Sequence, residues 1–128
     1  MPFDDKIEEN RRVAKKCKDL KAYNAGVTRA YYCVFLKAKS YLLVNHFDYV
    51  DFKKRRGITE NRFSHGTILS ATTECLLKNG KKPADICKLG VWDNLYNKRI
   101  QADYEPEDII ECELDSSLKE LETILSIF

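Results

Sequence analysis

Apolar and polar positions along this chain recur with the three-to-four-residue period of amphipathic helices, and no stretch shows the strict alternation of a half-buried strand. The pattern predicts helices over about residues 4–20, 22–44, 64–79, 83–99 and 106–128. Residues 45–61 lose this periodicity, and we predict a loop there. Asp85 is the predicted N-cap of the fourth helix, and Pro106 is the predicted first residue of the fifth. The sequence therefore predicts an all-α fold.

The second predicted helix differs from the others because, beyond Ala30, apolar residues lie almost all around it. Such a helix is touched on several sides of a bundle, or it also meets another subunit. A chain of 128 residues is long enough for one core and one domain. We therefore predict a single domain, residues 1–128, folded as an up-and-down bundle of four to five helices, with a homodimer contact on the second helix.

The segment around Arg99 holds the strongest candidate chemistry. Arg99 and Asp103 are four residues apart, which places them on one face of a helix, and Tyr104 follows where Pro106 must end that helix. A guanidinium, a carboxylate and a phenol gathered at a helix end could hold a phosphate. The alternative is an ordinary surface ion pair followed by a helix stop.

Two other segments add to this signature. Arg29 is followed by a tyrosine pair that ends at Tyr32, and His65 lies in the first turn of the third helix. Taken with the Arg99 segment, these pieces resemble the HEPN family, the small helical domains of prokaryotic toxin-antitoxin and RNA-degrading systems. The resemblance spans roughly residues 5–125 and is closest to short stand-alone HEPN proteins whose last signature reads Arg, three residues, Asp-Tyr.

The resemblance implies metal-independent cleavage of RNA, in which a ribose 2'-hydroxyl attacks the adjacent phosphate and two subunits share the cleft. In such a site an arginine steadies the charge on phosphorus and a histidine moves the proton. Here the position of the family's histidine holds Tyr104, which is a poor base at neutral pH. We therefore expect Arg99 to stabilise the phosphate, with Asp103, Tyr104 and His65 as the polar and acid–base cluster, and no cofactor.

Two alternatives to an RNA-cleaving enzyme stay open. The toxin-antitoxin setting of the family implies a non-catalytic module that binds a nucleotide or a partner nucleotidyltransferase, with Tyr104 as an acceptor of a nucleotidyl group. The other alternative is a helical bundle that dimerises and neither catalyses a reaction nor binds a phosphate or nucleotide.

Arg29 lies in a stretch so apolar that its charge needs a partner. The candidates are Asp103, another acidic side chain or a bound phosphate. An internal pair with Asp103 would mean that the segments around Arg29 and Arg99 determine the fold and do not form a catalytic site. Tyr32 lies three positions after Arg29 and on the same helix face. We therefore expect Arg29 and Tyr32 to line a cleft that binds RNA or a nucleotide.

The net charge of +2 does not by itself indicate a nucleic-acid-binding protein. Its distribution is more informative, because Lys53, Lys54, Arg55 and Arg56 form one compact basic run. Such a run binds RNA phosphates by releasing counterions, and we predict this role for the four residues. The alternative is a solvated surface face.

Several classes of protein are disfavoured. Five cysteines without Cys-x-x-Cys spacing argue against a disulfide framework and a zinc site, and they favour a reducing cytoplasm. Residues 1–20 are too charged for a secretory signal, and the longest apolar stretch, residues 30–44, is too short to cross a membrane. Glycine-rich phosphate loops and the motifs of zinc proteases and serine hydrolases do not occur. We therefore expect a cytoplasmic protein with no metal and no membrane partner.

Overall fold

A computed structural model describes residues 1–128, and its only secondary structure is helical. The helices are α1 (Asp4–Asp19), α2 (Tyr23–Val44), α3 (Tyr49–Arg56), α4 (His65–Lys78), α5 (Pro83–Cys87), α6 (Val91–Tyr104) and α7 (Glu111–Leu125), with one 3-10 turn at Lys88–Gly90. The prediction of an all-α helical bundle is confirmed. None of the helices combines the length and the apolarity needed to span a bilayer.

Helix α2 is the centre of the bundle and packs against α1, α4, α6 and α7. Only residues 20–22 join α1 to α2, so these two helices form an antiparallel hairpin. The hydroxyls of Tyr31 and Tyr41 in α2 meet His65 and Asn79, at the two ends of α4, so α2 and α4 run in the same direction. The up-and-down order is therefore interrupted between α2 and α4, where α3 and its flanking loops return the chain.

The predicted loop over residues 45–61 is wrong in its middle, because α3 forms there. The side chain of Asp48 caps this helix by accepting a hydrogen bond from the backbone amide of Asp51 at 3.0 Å. Phe52 is fully buried against the core, and Gly57 ends the helix in the left-handed region with φ at 65°. One buried side chain in eight residues gives no periodic signal, so the pattern of the sequence does not indicate this helix.

The predicted fourth helix is divided in two. Lys82 rather than Asp85 is the N-cap, because Pro83 already occupies the first helical position of α5. The 3-10 turn at Lys88–Gly90 then separates α5 from α6, and α6 continues as far as Tyr104. Arg99, Asp103 and Tyr104 therefore lie in the last turns of one helix, α6.

Helix α7 begins well after Pro106, contrary to the prediction. Ile109 is buried, and its backbone amide donates to the side chain of Asn24 in α2 at 2.8 Å. The carboxylate of Glu113 then accepts a hydrogen bond from the amide of Ile110 at 3.2 Å, which satisfies one free donor at the helix start. These tertiary contacts override the preference of proline for a helix start.

Gly26 of α2 lies against side chains of both α1 and α7. A Cβ atom there would lie 2.8 Å from Cδ1 of Leu114 and 3.0 Å from Cβ of Cys17, and both neighbours are buried. We expect Gly26→Ala to lower the free energy of unfolding by about 1–3 kcal/mol, because overpacking outweighs the better helix propensity of alanine. Urea unfolding measures the loss, and Gly66→Ala, which meets open space in α4, is the control. A Gly26→Ala protein as stable as this control would contradict the packing.

An ion-pair group joins α1 to α7. Arg11 donates two hydrogen bonds to Glu122, at 2.9 and 2.8 Å, and Nζ of Lys15 lies 3.1 Å from the same carboxylate. The hydrogen bonds from Arg11 hold the pKa of Glu122 below its ordinary value. The pair therefore stabilises the fold above the ordinary glutamate pKa, and this contribution is lost as pH falls through the lowered pKa.

We expect Glu122→Gln to cost about 0.5–1 kcal/mol at neutral pH, because the pair is partly exposed to solvent. The cost should be close to zero at a pH below both pKa values, where the carboxyl group of the wild-type protein is protonated. Urea unfolding at the two pH values measures the difference. An equal cost at both would show that the ion pair does not contribute through its charge.

Candidate functional site

Helices α2, α4 and α6 meet around a group of polar and aromatic side chains. The members of this group, which we call the Arg99 cluster, are Tyr31, Tyr32, His65, Asp93, Tyr96, Arg99, Asp103 and Tyr104. Helix α2 supplies the first two tyrosines, and α4 supplies the histidine from its first turn. Most of the α6 members recur every three or four residues and therefore share one face of that helix.

The guanidinium of Arg99 is held by three tyrosines and one carboxylate. Its Nη2 donates to the hydroxyl of Tyr32 at 3.0 Å, and its Nε lies 2.9 Å from the carboxylate of Asp103. The Nε–H does not point along this second contact, so Arg99 and Asp103 form an ion pair without a linear hydrogen bond. Its Cζ lies 5.3 to 5.6 Å from the ring centres of Tyr31, Tyr32 and Tyr104, within the range of cation–π attraction.

Arg99 is charged but only partly accessible. Partial burial tends to lower the pKa of Arg99, but the effects of Tyr32, Asp103 and Tyr104 outweigh it, and the net shift is upward. Its side chain is 16% exposed, so a ligand can reach the charge only over a small area. Asp103 has a second partner, since the hydroxyl of Thr28 donates to it at 2.5 Å. An anion at Arg99 must therefore compete with Asp103, which can keep its bond to Thr28.

His65 is anchored between α2 and α6. The side chain of Ser64 caps α4 by accepting a hydrogen bond from the amide of Thr67, and this places His65 in the first turn. Its Nε2 lies 2.7 Å from a carboxylate oxygen of Asp93, its Nδ1 lies 3.3 Å from the hydroxyl of Tyr31, and its ring stacks on Tyr96 with 4.1 Å between centres. Because a carboxylate only accepts hydrogen bonds, Nε2 carries a proton, and in the tautomer protonated there alone Nδ1 accepts from Tyr31. Both ring nitrogens are thus engaged, and the side chain is only 9% exposed.

Tyr31 lies between His65 and Arg99. It is 4% exposed, with its hydroxyl at His65 and its ring at the guanidinium. Burial raises the pKa of Tyr31 well above its ordinary value, against the smaller opposite effect of Arg99, so the hydroxyl stays protonated. His65 and Arg99 therefore belong to one cluster without sharing an open cleft. The main surface depressions of the molecule are lined by other residues.

Arg29 and Tyr32 have different partners. The guanidinium of Arg29 donates to the side-chain oxygen of Asn10 in α1 at 3.3 Å, and the residue is exposed. Asp103 pairs with Arg99 instead, so the alternative of an internal pair between Arg29 and Asp103 is wrong. Tyr32 lies beside Arg99 and is 37% exposed. Arg29 reaches solvent from the apolar helix because it lies on the side of α2 that faces the polar surface of α1.

The basic run of α3 is a separate surface. Arg55 donates to both carboxylate oxygens of Glu74 and to an aspartate one turn earlier, each at 2.8 Å. Arg56 lies 3.8 Å from the same Glu74. Lys53 and Lys54 make no ion pair, so they are the members of the run with charge free for phosphates. None of the ion pairs of the run is with the Arg99 cluster.

Tyr31, Asp93 and Tyr96 are the members of the cluster that the sequence does not predict, and the last two lie on α6 with Arg99 and Asp103. The spacing of Asp93 and Tyr96 from Arg99 and Asp103 is the signal that could have identified these two, because the four residues recur at helical intervals. Their contacts with His65 could not be foreseen, since they depend on how α4 packs against α6.

Comparison of the chain with protein-family models and with curated proteins finds no match. The chemistry of the Arg99 cluster must therefore be inferred from its own geometry. No group of three or more His, Cys, Asp or Glu side chains is placed to hold a metal ion. What the cluster offers a ligand is a fixed positive charge, exposed phenol rings and a neighbouring carboxylate.

Proposed function

We propose that this protein is HEPN-like and binds RNA at the Arg99 cluster, where Arg99 receives a backbone phosphate and the RNA is cleaved without a metal. The observation that supports this most is the setting of the guanidinium, which touches three tyrosines and only one carboxylate. A phosphate can accept two parallel hydrogen bonds from an arginine. In the ion pair with Asp103, the Nε–H of Arg99 makes no hydrogen bond. Exchange of the carboxylate for a phosphate therefore gains hydrogen bonds.

The comparison between Arg99 and Arg55 supports the choice of site. Arg55 gives its Nε and both terminal nitrogens to two carboxylates, and a phosphate would have to break three hydrogen bonds of 2.8 Å. Arg99 gives one hydrogen bond, to the phenol of Tyr32. Of these two arginines, Arg99 is thus the one with unmet hydrogen-bonding capacity.

Exposed aromatic rings flank the proposed phosphate position. Tyr104 is 70% exposed and Tyr32 is 37% exposed, so each presents part of a ring to solvent. Bases of a single strand stack on such rings with a gain of about 1–3 kcal/mol each. Arg29, one turn before Tyr32 in α2, and Lys53 and Lys54, on the separate surface of α3, add positive charge that attracts an RNA backbone whatever its sequence.

The cleavage step uses Arg99, Asp103 and Tyr104. Once the phosphate has displaced Asp103 from the guanidinium, the carboxylate takes the proton of the ribose 2'-hydroxyl as that oxygen attacks phosphorus. Arg99 stabilises the added negative charge, and the hydroxyl of Tyr104 gives a proton to the leaving 5'-oxygen. His65 does not move a proton in this scheme, because both ring nitrogens are already bonded.

A homodimer in the cytoplasm belongs to the same proposal, because the family resemblance implies two subunits that share one cleft. Leu43 and Val44, at the end of α2, are apolar and exposed to 55% and 39%, which supports a contact through this helix. Light scattering across a dilution series measures the oligomeric state. A protein that is monomeric at every concentration would remove the dimer and leave the RNA site to one chain.

The exposure of Tyr104 favours a second candidate function, that of a module which binds a nucleotide or a partner nucleotidyltransferase. A phenol that is 70% exposed and beside a guanidinium is accessible to an enzyme. Its oxygen would attack the α-phosphorus of a nucleoside triphosphate, with pyrophosphate leaving and the phenolic proton passing to a base of the transferase. Mass spectrometry after co-expression with a nucleotidyltransferase tests this, and an unmodified Tyr104 with no complex would exclude it.

The proposed function is tested with labelled single-stranded RNA in the presence of EDTA. We expect binding that weakens as salt is raised, and products that end in a 2',3'-cyclic phosphate. The matched control is the same strand with deoxyribose at the cleaved position, which should bind and stay intact. Failure to bind RNA at low salt would reject the whole proposal. Binding without cleavage of either strand would reject the catalytic step.

A further inference from the structure

Asp93 is linked to Arg99 by a chain of direct contacts that passes through α4 and α2. Its carboxylate lies 2.7 Å from Nε2 of His65, and Nδ1 of that ring lies 3.3 Å from the hydroxyl of Tyr31. The ring of Tyr31 in turn lies 5.6 Å from Cζ of Arg99. Asp93 and Arg99 themselves lie on one face of α6, so the chain of contacts leaves this helix and returns to it.

The imidazole in this chain is held in one orientation. It lies parallel to the ring of Tyr96, with an interplanar angle of 7°, and edge-on to the ring of Trp92, at 89°. The groups that face His65 are thus Asp93, Tyr31 and these two aromatic rings. Asp93 is the one charged group among them and the one that can only accept a hydrogen bond. It therefore decides which ring nitrogen carries the proton and which one faces Tyr31.

We propose that Asp93 is a positioning residue for the Arg99 site: it fixes the tautomer of His65, His65 orients Tyr31, and the ring of Tyr31 supports the guanidinium of Arg99. With Nε2 protonated, Nδ1 is an acceptor, and the Tyr31 hydroxyl must donate to it. In the other tautomer Nδ1–H would face that hydroxyl, and the neutral Tyr31 would have to turn its own proton elsewhere in a buried site. The effect on RNA binding rests on the proposed function, whereas the positioning of Arg99 does not.

Asp93 can be changed without removing core packing, because its side chain is 61% exposed. Asp93→Ala removes the acceptor, and Asp93→Asn keeps an acceptor oxygen without the charge. The control is Asp115→Ala, which breaks an exposed ion pair with Lys18, 2.9 Å long and on another face of the bundle. Melting temperatures of the three variants show whether any effect follows from lost stability.

The experiment measures the ¹⁵N resonances of the His65 ring and of Arg99 Nε, together with the affinity for the single-stranded RNA used above. For Asp93→Ala we expect loss of the single tautomer, a shift of the Arg99 resonance and RNA affinity about fivefold weaker, as for one lost hydrogen bond. Asp93→Asn should keep the tautomer and stay within about twofold in affinity, and Asp115→Ala should match the wild type.

Unchanged His65 and Arg99 resonances in Asp93→Ala would overturn this inference. A shift of the Arg99 resonance of equal size in Asp115→Ala would also overturn it, because loss of any surface carboxylate would then have the same effect. If the wild-type protein binds no RNA, the proposed function is lost, but the resonances still decide whether Asp93 positions Arg99. The two claims can therefore fail separately.

Discussion

Replacing Trp92 with alanine is expected to lower the free energy of unfolding by about 3–5 kcal/mol, the range for deletion of a large buried aromatic side chain. The residue is fully buried, and it is among the largest side chains of the core. Its ring also meets the edge of His65, with 5.6 Å between ring centres. The substitution should therefore leave a cavity beside the histidine as well as remove apolar contacts.

Urea unfolding followed by circular dichroism measures this loss, and Trp92→Phe is the matched control. The indole Nε1 is buried without a hydrogen-bond partner, so phenylalanine keeps most of the ring and removes an unsatisfied donor. We expect Trp92→Phe to be clearly more stable than Trp92→Ala. Equal losses for the two variants would mean that the volume of the side chain is not what stabilises the junction of α4 and α6.

Replacing Arg99 with alanine is expected to weaken RNA binding by about 10- to 150-fold, equivalent to the ~1.5–3 kcal/mol of hydrogen bonds to a charged group. Cleavage should fall further, by about 100- to 1000-fold in kcat, because the charge that stabilises the transition state is lost. The variant should fold, since Asp103 keeps the hydroxyl of Thr28 as a partner. Melting temperature checks that expectation.

Two further variants separate charge from geometry at this position. Arg99→Lys keeps the positive charge but loses the planar fork, so its affinity should lie between those of the wild type and Arg99→Ala. Arg12→Ala removes an exposed arginine of α1 that makes no ion pair, and it should change affinity only through net charge. If Arg12→Ala weakens binding as much as Arg99→Ala, the RNA is held by general attraction and the cluster has no special role.

The sequence is informative where periodicity and capping act within one helix. The bounds of α2 and the Ser64 cap of α4 follow from local pattern. The spacing of Arg99 and Asp103 places them on one face of α6, where they form the ion pair that was the alternative to a phosphate site. Helix α3 is missed because its one buried side chain, Phe52, makes no pattern. The late start of α7 is missed because contacts with another helix set it.

The same distinction applies to the candidate site. The sequence pairs Tyr32 with Arg29 in a cleft, whereas the structure places the hydroxyl of Tyr32 at 3.0 Å from Nη2 of Arg99 on α6. The engagement of His65 by Asp93 and Tyr31 requires three helices to pack at a particular angle, which no local pattern reports. Packing between helices therefore gives both ring nitrogens of His65 a partner, which the sequence pattern does not indicate.

The central claim is that Arg99 receives a phosphate of RNA. The most direct test is to label the arginines of the protein with ¹⁵N and to add a short single-stranded RNA stepwise. We expect the Nε resonance of Arg99 to shift in a saturable manner, while that of Arg55, bonded to two carboxylates, shifts little. Saturable shifts confined to the arginines of α3, with Arg99 unchanged at full binding, would contradict the claim.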